Sequence, residues 1–277
     1  MQRVSRNGKH WTKILFIDNP KLYLPFLVKG FSHAKDQAEG LCQLCKELKI
    51  SSPMRILDLS CGIGGHSIFL AGMGHNVVGY DPSEFYIKRA RNLAKRQLVD
   101  TRKIRFISGD LLEVANVLLK QGESNFDLII SMGQSLGFGS IYDDIHMFRS
   151  LLPLSNHHTF LLVEFQNLLW VIRNFQPNIF YRFGNLELCE HWELDFEKSL
   201  CLNRTKFYER DFKTRNLKFL LDLKMPQRFY TPHELSLILF EAGWKFLKCY
   251  KGVQDPFPVT FDSMMPLAIS TNSSMKS

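Results

Sequence analysis

Residues 55–66 read Arg55-Ile-Leu-Asp58-Leu-Ser-Cys-Gly62-Ile-Gly64-Gly65-His66. An apolar strand runs into a Gly-rich turn and then into a helix. Glycines in such a turn let the backbone bend tightly and let a ligand approach with no Cβ in the way. On that reading, a side chain at Gly64 would enter the ligand's volume. A dinucleotide fingerprint starting at Gly62 would need glycine at 67, where Ser67 stands. Asp58, at the strand end, would also repel a pyrophosphate. The turn therefore points away from a dinucleotide.

Working outward, strand and helix patterns alternate. Met54–Leu59, Asn76–Tyr80, Ile104–Ile107, Phe126–Ser131 and Thr159–Glu164 are short apolar strands. Helices are expected over 64–73, from the cap Ser83 to about Leu98, over 111–119 and over 143–152. Fully apolar strands separated by helices predict a parallel sheet covered on both faces. A helix over 34–49 precedes them. Residues 178–225 differ, because Leu186-Glu-Leu-Cys-Glu-His-Trp-Glu-Leu-Asp alternates apolar and polar residues, the period of antiparallel strands. Thr231-Pro-His-Glu234 then opens a helix with a capping box, and 244–250 and 264–269 supply two last strands.

Three of the strands end in residues suited to a nucleoside. Asp81 lies nineteen residues past Gly62 in Gly79-Tyr80-Asp81, where a carboxylate can accept both ribose hydroxyls. Ser108-Gly109-Asp110-Leu111 places another carboxylate after the third strand. All open onto one edge of the sheet, where open α/β folds bind ligands.

With these residues the chain resembles the class I S-adenosylmethionine-dependent methyltransferases. The match runs through Ile56–Gly65, Gly79-Tyr-Asp-Pro-Ser83, Gly109-Asp-Leu111 and Phe126–Ser131, and again through Phe229–Leu235 and Glu241-Ala-Gly-Trp244. The resemblance implies a Rossmann-like, doubly wound, mostly parallel seven-stranded sheet, with an antiparallel β insertion after strand five. It implies S-adenosylmethionine as cofactor. Asp58, Ser60, Gly62 and Gly64 would border the methionine portion, with Asp81 and Pro82 at the ribose, Asp110 and Leu111 at the adenine, and Ser131 and Met132 in the pocket wall. The sequence departs from the family in two places. The usual Pro-Gly-Gly turn before strand five is replaced by Pro153–His158. Ser131-Met-Gly-Gln134 stands where amino-methylating nucleic-acid enzymes carry Asn/Asp-Pro-Pro-Tyr.

The implied organisation is an N-terminal helical cap (1–53), a core (54–165 and 230–270), an acceptor lid (166–229) and a disordered tail (271–277). The lid resembles that of small-molecule N- and O-methyltransferases. Its Glu187, Glu190, Glu193, Asp195 and Glu197 make it acidic, which suits an amine and opposes a phosphate backbone. Acceptor-side candidates are Gln134, His146, Glu164, Gln166, Asn167, Tyr181, His191 and Arg228; no catalytic residue is singled out. Phe175, Phe180, Tyr181 and Phe183 read as core before acceptor clamp. Lysine and arginine exceed acidic residues by 35 − 27 = 8. Much of that excess lies on one helix face at Lys88, Arg89, Arg91, Lys95 and Arg96, a solvated face by its pattern. An RNA acceptor on this basic 88–105 region is the rival reading, and a cofactor-binding protein without transfer activity is a third.

No apolar run approaches the roughly 18 residues of a membrane-spanning helix. The basic N-terminus lacks a signal's apolar segment. Six sparse cysteines, Cys42 and Cys45 among them, fit core packing in a reducing cytoplasm better than disulfides or a metal site, and none is expected.

Overall fold

The computed structural model describes residues 9–272. In chain order its elements are α1 (Leu24–Glu47), β1 (Arg55–Leu59), α2 (Gly65–Gly72), β2 (Asn76–Asp81), α3 (Glu84–Arg96), β3 (Ile104–Ser108), α4 (Val114–Lys120), β4 (Phe126–Ser131), α5 (Ile141–Ser150) and β5 (Ser155–Glu164). There follow α6 (Leu168–Arg173), β6 (Asn178–Phe183), β7 (Leu186–Asp195), β8 (Leu200–Arg210), β9 (Leu217–Arg228), α7 (Pro232–Glu241), β10 (Trp244–Gly252), β11 (Asp255–Pro258) and β12 (Leu267–Asn272). One sheet has the order β11-β10-β12-β5-β4-β1-β2-β3, and a second has the order β6-β7-β8-β9.

β3, β2, β1, β4 and β5 are parallel, as their mostly apolar sequences favour. β12 joins β5 antiparallel, and β10 joins β12 the same way. The main sheet has an eighth strand beyond the seven expected: Asp255-Pro-Phe-Pro258 is paired with β10 at the edge. Two prolines in four residues hide such a strand from pattern reading, and an edge is where proline is tolerated. Alternate residues of the central strands feed separate cores. Leu57, Leu59 and Ile129 pack with Val114, Phe148 and Leu239 from α4, α5 and α7. Ile56, Leu128 and Ile130 pack with Leu41, Ile68 and Ile87 from α1, α2 and α3.

Several boundaries differ from expectation. α1 begins ten residues early, and helical turns at Lys13–Asp18 and Pro20–Leu22 precede it. Ser83 stands at the start of α3, but its side chain does not cap it; the hydroxyl donates to Phe16 O at 2.7 Å instead. Of the tail expected to be disordered, Thr271 and Asn272 are paired in β12, and 273–277 lie outside the described residues. No helix among the described residues is long and apolar enough to cross a membrane.

Gly64 is needed for packing. It sits at φ 80°, and a Cβ there would lie 2.8 Å from the Phe106 ring and 3.0 Å from Ala90. The side chain would enter the core between α2, α3 and β3, and not the ligand's space as the sequence suggested. Gly64→Ala is therefore expected to cost about 1–3 kcal/mol of folding stability from overpacking and left-handed strain. Urea unfolding checks this, and an unchanged midpoint would contradict the packing role.

Candidate active site

The C-terminal ends of β1, β2, β4 and β5 open into a cavity of about 970 Å³. Of the expected cofactor residues, it is lined by Asp58, Ser60, Gly62, Asp81, Pro82, Asp110, Leu111 and Met132. Gly64 and Ser131 are not among its walls; Ser131 is fully buried under the end of β4 with its hydroxyl unpartnered.

Two carboxylates hold the Gly-rich turn. Asp58 Oδ2 accepts from Ser67 N at 3.1 Å and from the Ser67 hydroxyl, tying the end of β1 to the first turn of α2. Asp81 Oδ2 accepts from Gly62 N at 2.9 Å, and its Oδ1 accepts from Ser83 N at 2.8 Å. Asp81 thereby joins the β1 turn to the β2–α3 junction. Neither carboxylate has an ion-pair partner among the described residues. Burial raises Asp58 to about 7 and Asp81 to about 6 despite these donors. Asp110 is exposed toward the cavity mouth, and its Oδ1 accepts from Leu112 N at 2.9 Å, capping the turn that follows.

Ser60 and Gln134 are left-handed without being glycine, at φ 59° and 60°, and both line the cavity. Such conformations cost about 1–3 kcal/mol each and gather at functional sites. The Ser60 hydroxyl is buried without a hydrogen-bond partner. An orphaned hydroxyl beside two carboxylates lacking cations is a site that a polar, positively charged ligand would satisfy.

The far wall comes from a segment that the sequence did not single out. His10, Lys13, Phe16, Tyr23 and Phe26 line the cavity, as do Gln37 from α1 and the 132–139 loop. The segment is fastened beside Asp81: the Tyr86 hydroxyl donates to Pro20 O at 2.9 Å, and Ser83 binds Phe16 O. The aromatic run in 10–26 is the signal that could have found it, since it has no partner in the α/β pattern.

No residue of the 166–229 insertion lines the cavity. Leu186, Leu188, Phe207, Leu223 and Met225 from β7–β9 pack instead against Trp11 and Leu15. Phe26 meets Phe183 at 4.7 Å and Tyr181 at 5.2 Å between ring centroids. The insertion backs the N-terminal segment, and that segment faces the ligand space. Two of its five carboxylates are also paired with arginine or lysine. Glu187 is buried between Arg182 and Arg210, Asp195 pairs with Lys198 at 2.7 Å, and Glu190 accepts from Trp192 Nε1. Tyr181 and Phe183 thus serve packing, whereas Phe180 is exposed.

The structure removes most acceptor-side candidates. His146 is exposed on α5, outside the cavity, because α5 turns that face to solvent. His191 is exposed on β7, bonded to Asn178 Oδ1 at 2.9 Å. Arg228 binds Lys198 O and Asn167 caps α6; neither lines the cavity, nor does Gln166. Gln134 and Glu164 do line it. Glu164 Oε2 accepts from Gly133 N at 2.9 Å, and burial raises its carboxyl to about 7. Asp144, raised by burial to about 6, is engaged by the Tyr230 hydroxyl and Gly137 N. Sequence reasoning missed His66. It is part-buried in the cavity wall, and burial lowers its imidazole to about 4.

An open α/β sheet with acidic strand ends around a Gly-rich turn defines a nucleoside-binding class. Residues 50–165 match a family model described as a methyltransferase domain. An S-adenosylmethionine-dependent methyltransferase from Clostridium acetobutylicum superposes with a TM-score of 0.73 at 16% identity, covering 92% of this chain and 97% of that one. The sugar N-methyltransferase KedS8 from Streptoalloteichus gives 0.61 at 11% identity, covering 85% and 86%. A putative ribosomal RNA large subunit methyltransferase of Methanocaldococcus jannaschii is 33% identical over 95 residues, 34% of this chain and 24% of that protein. The matches span about a quarter to a third of the first curated relatives, at 28%, 24% and 31%. The SAM-bound amino pentose methyltransferase CalS10 from Micromonospora echinaspora gives a TM-score of 0.58 at 14% identity, covering 86% of this chain and 91% of that one.

Asp58, Asp81, Asp144 and Glu164 bind a proton more tightly folded than unfolded, where carboxyls ionise near 4. Their stabilising contribution is full below about pH 4 and is lost as pH rises through about 6–7. A cation and hydroxyl donors bound to Asp58 and Asp81 would favour the ionised forms. S-adenosylmethionine binding near pH 6.5 is therefore expected to release protons. Calorimetry in buffers of different ionisation heat checks this; binding without proton release would contradict the contact.

Proposed function

We propose that this chain transfers a methyl group from S-adenosylmethionine to an amine or hydroxyl of a small-molecule acceptor, in the cytoplasm. The observation that carries the reading is one cavity that joins Asp58, Ser60, Gly62, Asp81 and Asp110 to an aromatic chamber under the N-terminal segment. Its volume stands at the upper end of ligand pockets, roughly 300–1,000 Å³, and leaves room for an acceptor beside the cofactor.

Asp81 would hold the ribose hydroxyls through its remaining lone pairs, with Pro82 alongside. Asp110 and Leu111 would border the adenine, and Asp58 with Ser60 and Gly62 would take the methionine end. The cofactor supplies an electrophilic methyl on a cationic sulfur. The chain's task is to align the nucleophile behind that methyl and to exclude water, a contribution of roughly 7–11 kcal/mol where alignment is good. The acceptor chamber has Phe16, Tyr23, Phe26 and Phe138 as walls. The domain reading changes accordingly: the N-terminal segment is the lid's inner layer and the 166–229 sheet its outer support.

Charge favours an amine. Asp58, Asp81, Asp110, Asp143, Asp144 and Glu164 line the cavity, against Lys13 as its one lysine or arginine among the described residues. The cations of the rival RNA reading lie elsewhere. Lys88, Arg89, Lys95 and Arg96 are exposed on α3, and none lines the cavity. Arg105 pairs with the buried Glu123, and Arg102 with Asp100. The sugar N-methyltransferase among the structural neighbours agrees with a small acceptor, although that likeness is one of fold.

Transfer of a labelled methyl group from S-adenosylmethionine into fractionated cell extract tests the acceptor. Label is expected in low-molecular-weight amines. Label chiefly in RNA, with binding that weakens steeply as salt rises, would overturn the small-molecule reading. Asp81→Ala is expected to weaken cofactor binding by about 1.5–3 kcal/mol, the range for hydrogen bonds to a charged group. Calorimetry on the variant, shown by circular dichroism to be folded, checks the loss.

A further inference from the structure

Gln37, His66 and Glu164 come from three different elements, α1, α2 and β5, and meet in the cavity wall. Gln37 Nε2 donates to Glu164 Oε1 at 3.4 Å, and His66 Nε2 lies 3.0 Å from Gln37 Oε1. The order of donors follows from the chemistry. Burial raises Glu164 to about 7, and once ionised above that pH the carboxylate can only accept, so it draws the amide nitrogen of Gln37 and turns the amide oxygen toward His66. That oxygen can only accept in turn, so it selects the imidazole tautomer with hydrogen on Nε2. Nδ1 is left as a bare lone pair, for which the described structure provides no partner.

Several other titratable cavity groups already have partners. Asp58 is bonded to Ser67, Asp81 to Gly62 and Ser83, and Glu164 to Gly133. His10 Nδ1 meets the Thr12 hydroxyl at 2.8 Å, and the Tyr86 hydroxyl donates to Pro20 O. His33 is exposed on α1.

We propose that His66 Nδ1 is the proton acceptor for the methyl-accepting group, with Gln37 and Glu164 as positioning residues that fix its tautomer. The inference rests on the methyltransferase reading above. In the balanced step, a carbon–nitrogen or carbon–oxygen bond forms as the sulfur–methyl bond breaks, and that bond's electron pair returns to sulfur. The nucleophile's hydrogen leaves as a proton to Nδ1. For an acceptor group bound in its neutral form, a positive charge disappears from sulfur as one appears on the imidazole. The same balance explains why a neutral imidazole suits the site: a second cation beside a sulfonium would be repelled in a poorly solvated cavity.

The experiment needs no identified acceptor. Nitrogen-15 histidine NMR of the wild-type full chain is followed against pH with S-adenosylmethionine and with S-adenosylhomocysteine, ligands that differ in the methyl group and its charge. His66 is assigned with the His66→Gln variant. The Nε2–H tautomer is expected in both complexes, and the imidazole should titrate at least about one unit higher with the neutral thioether than with the cation. Gln37→Leu should convert the fixed tautomer to a mixture. Equal titration in the two complexes, or hydrogen on Nδ1, would overturn the proposal while leaving the methyltransferase reading intact. Failure of both ligands to bind would overturn that reading and the relay with it.

Discussion

The Asp81 carboxylate spans a gap that the rest of the site depends on. The turn after β1 and the start of α3 both present backbone N–H groups to the edge of the sheet, and Asp81 accepts one from each. Without it, Gly62 N and Ser83 N would be buried donors lacking partners, which costs about 1–3 kcal/mol each. The same carboxylate pays a desolvation penalty, visible in its raised ionisation. Two donors only partly offset that penalty. A ligand that brings donors and positive charge relieves it. Fold stability and ligand recognition are thus coupled through one side chain.

That coupling extends outward in layers. Ser83, whose backbone Asp81 holds, uses its hydroxyl to fasten Phe16 in the N-terminal segment. The other side of that segment packs on the β6–β9 sheet through Trp11 and Leu15. The sheet has one apolar face because its strands alternate, and the N-terminal segment is what that face covers. Wall and support come from opposite ends of the sequence, so neither encloses a ligand alone. A small molecule held this way is shielded from water by aromatic rings on a rigid backing, which methyl transfer requires.

Most of the residues expected to border the cofactor line the cavity, because the motifs that carry them are local. Strand, Gly-rich turn and helix are contiguous at 55–72, and each acidic strand end follows its own apolar run. The parallel core was readable for the same reason, since strands buried on both faces cannot be mistaken for amphipathic ones. What stayed hidden depends on long-range docking. The Gln37–Glu164 contact bridges 127 positions, and nothing in either segment's periodicity announces it. The acidic insertion misled because composition does not reveal pairing: Glu187 looks available in sequence and is clasped by Arg182 and Arg210 in space. Gly64 misled in a different way. Its φ above zero was readable from the motif, but the side that a Cβ would strike was not, and Phe106 lies there.

Net charge illustrates the same separation of composition from site. The chain carries an excess of eight cationic residues, yet its cavity is lined by carboxylates. Surface lysines and arginines are solvated and screened within about 10 Å at ordinary ionic strength, so they contribute little field inside. The cavity carboxylates act at contact distance in a poorly solvated space, where charges interact far more strongly. A cationic cofactor and an amine acceptor are both attracted by that local field. A phosphate backbone is attracted by the outer surface and repelled by the cavity. On the proposed reading the methyl-accepting group must enter the cavity, where the local field favours a cation.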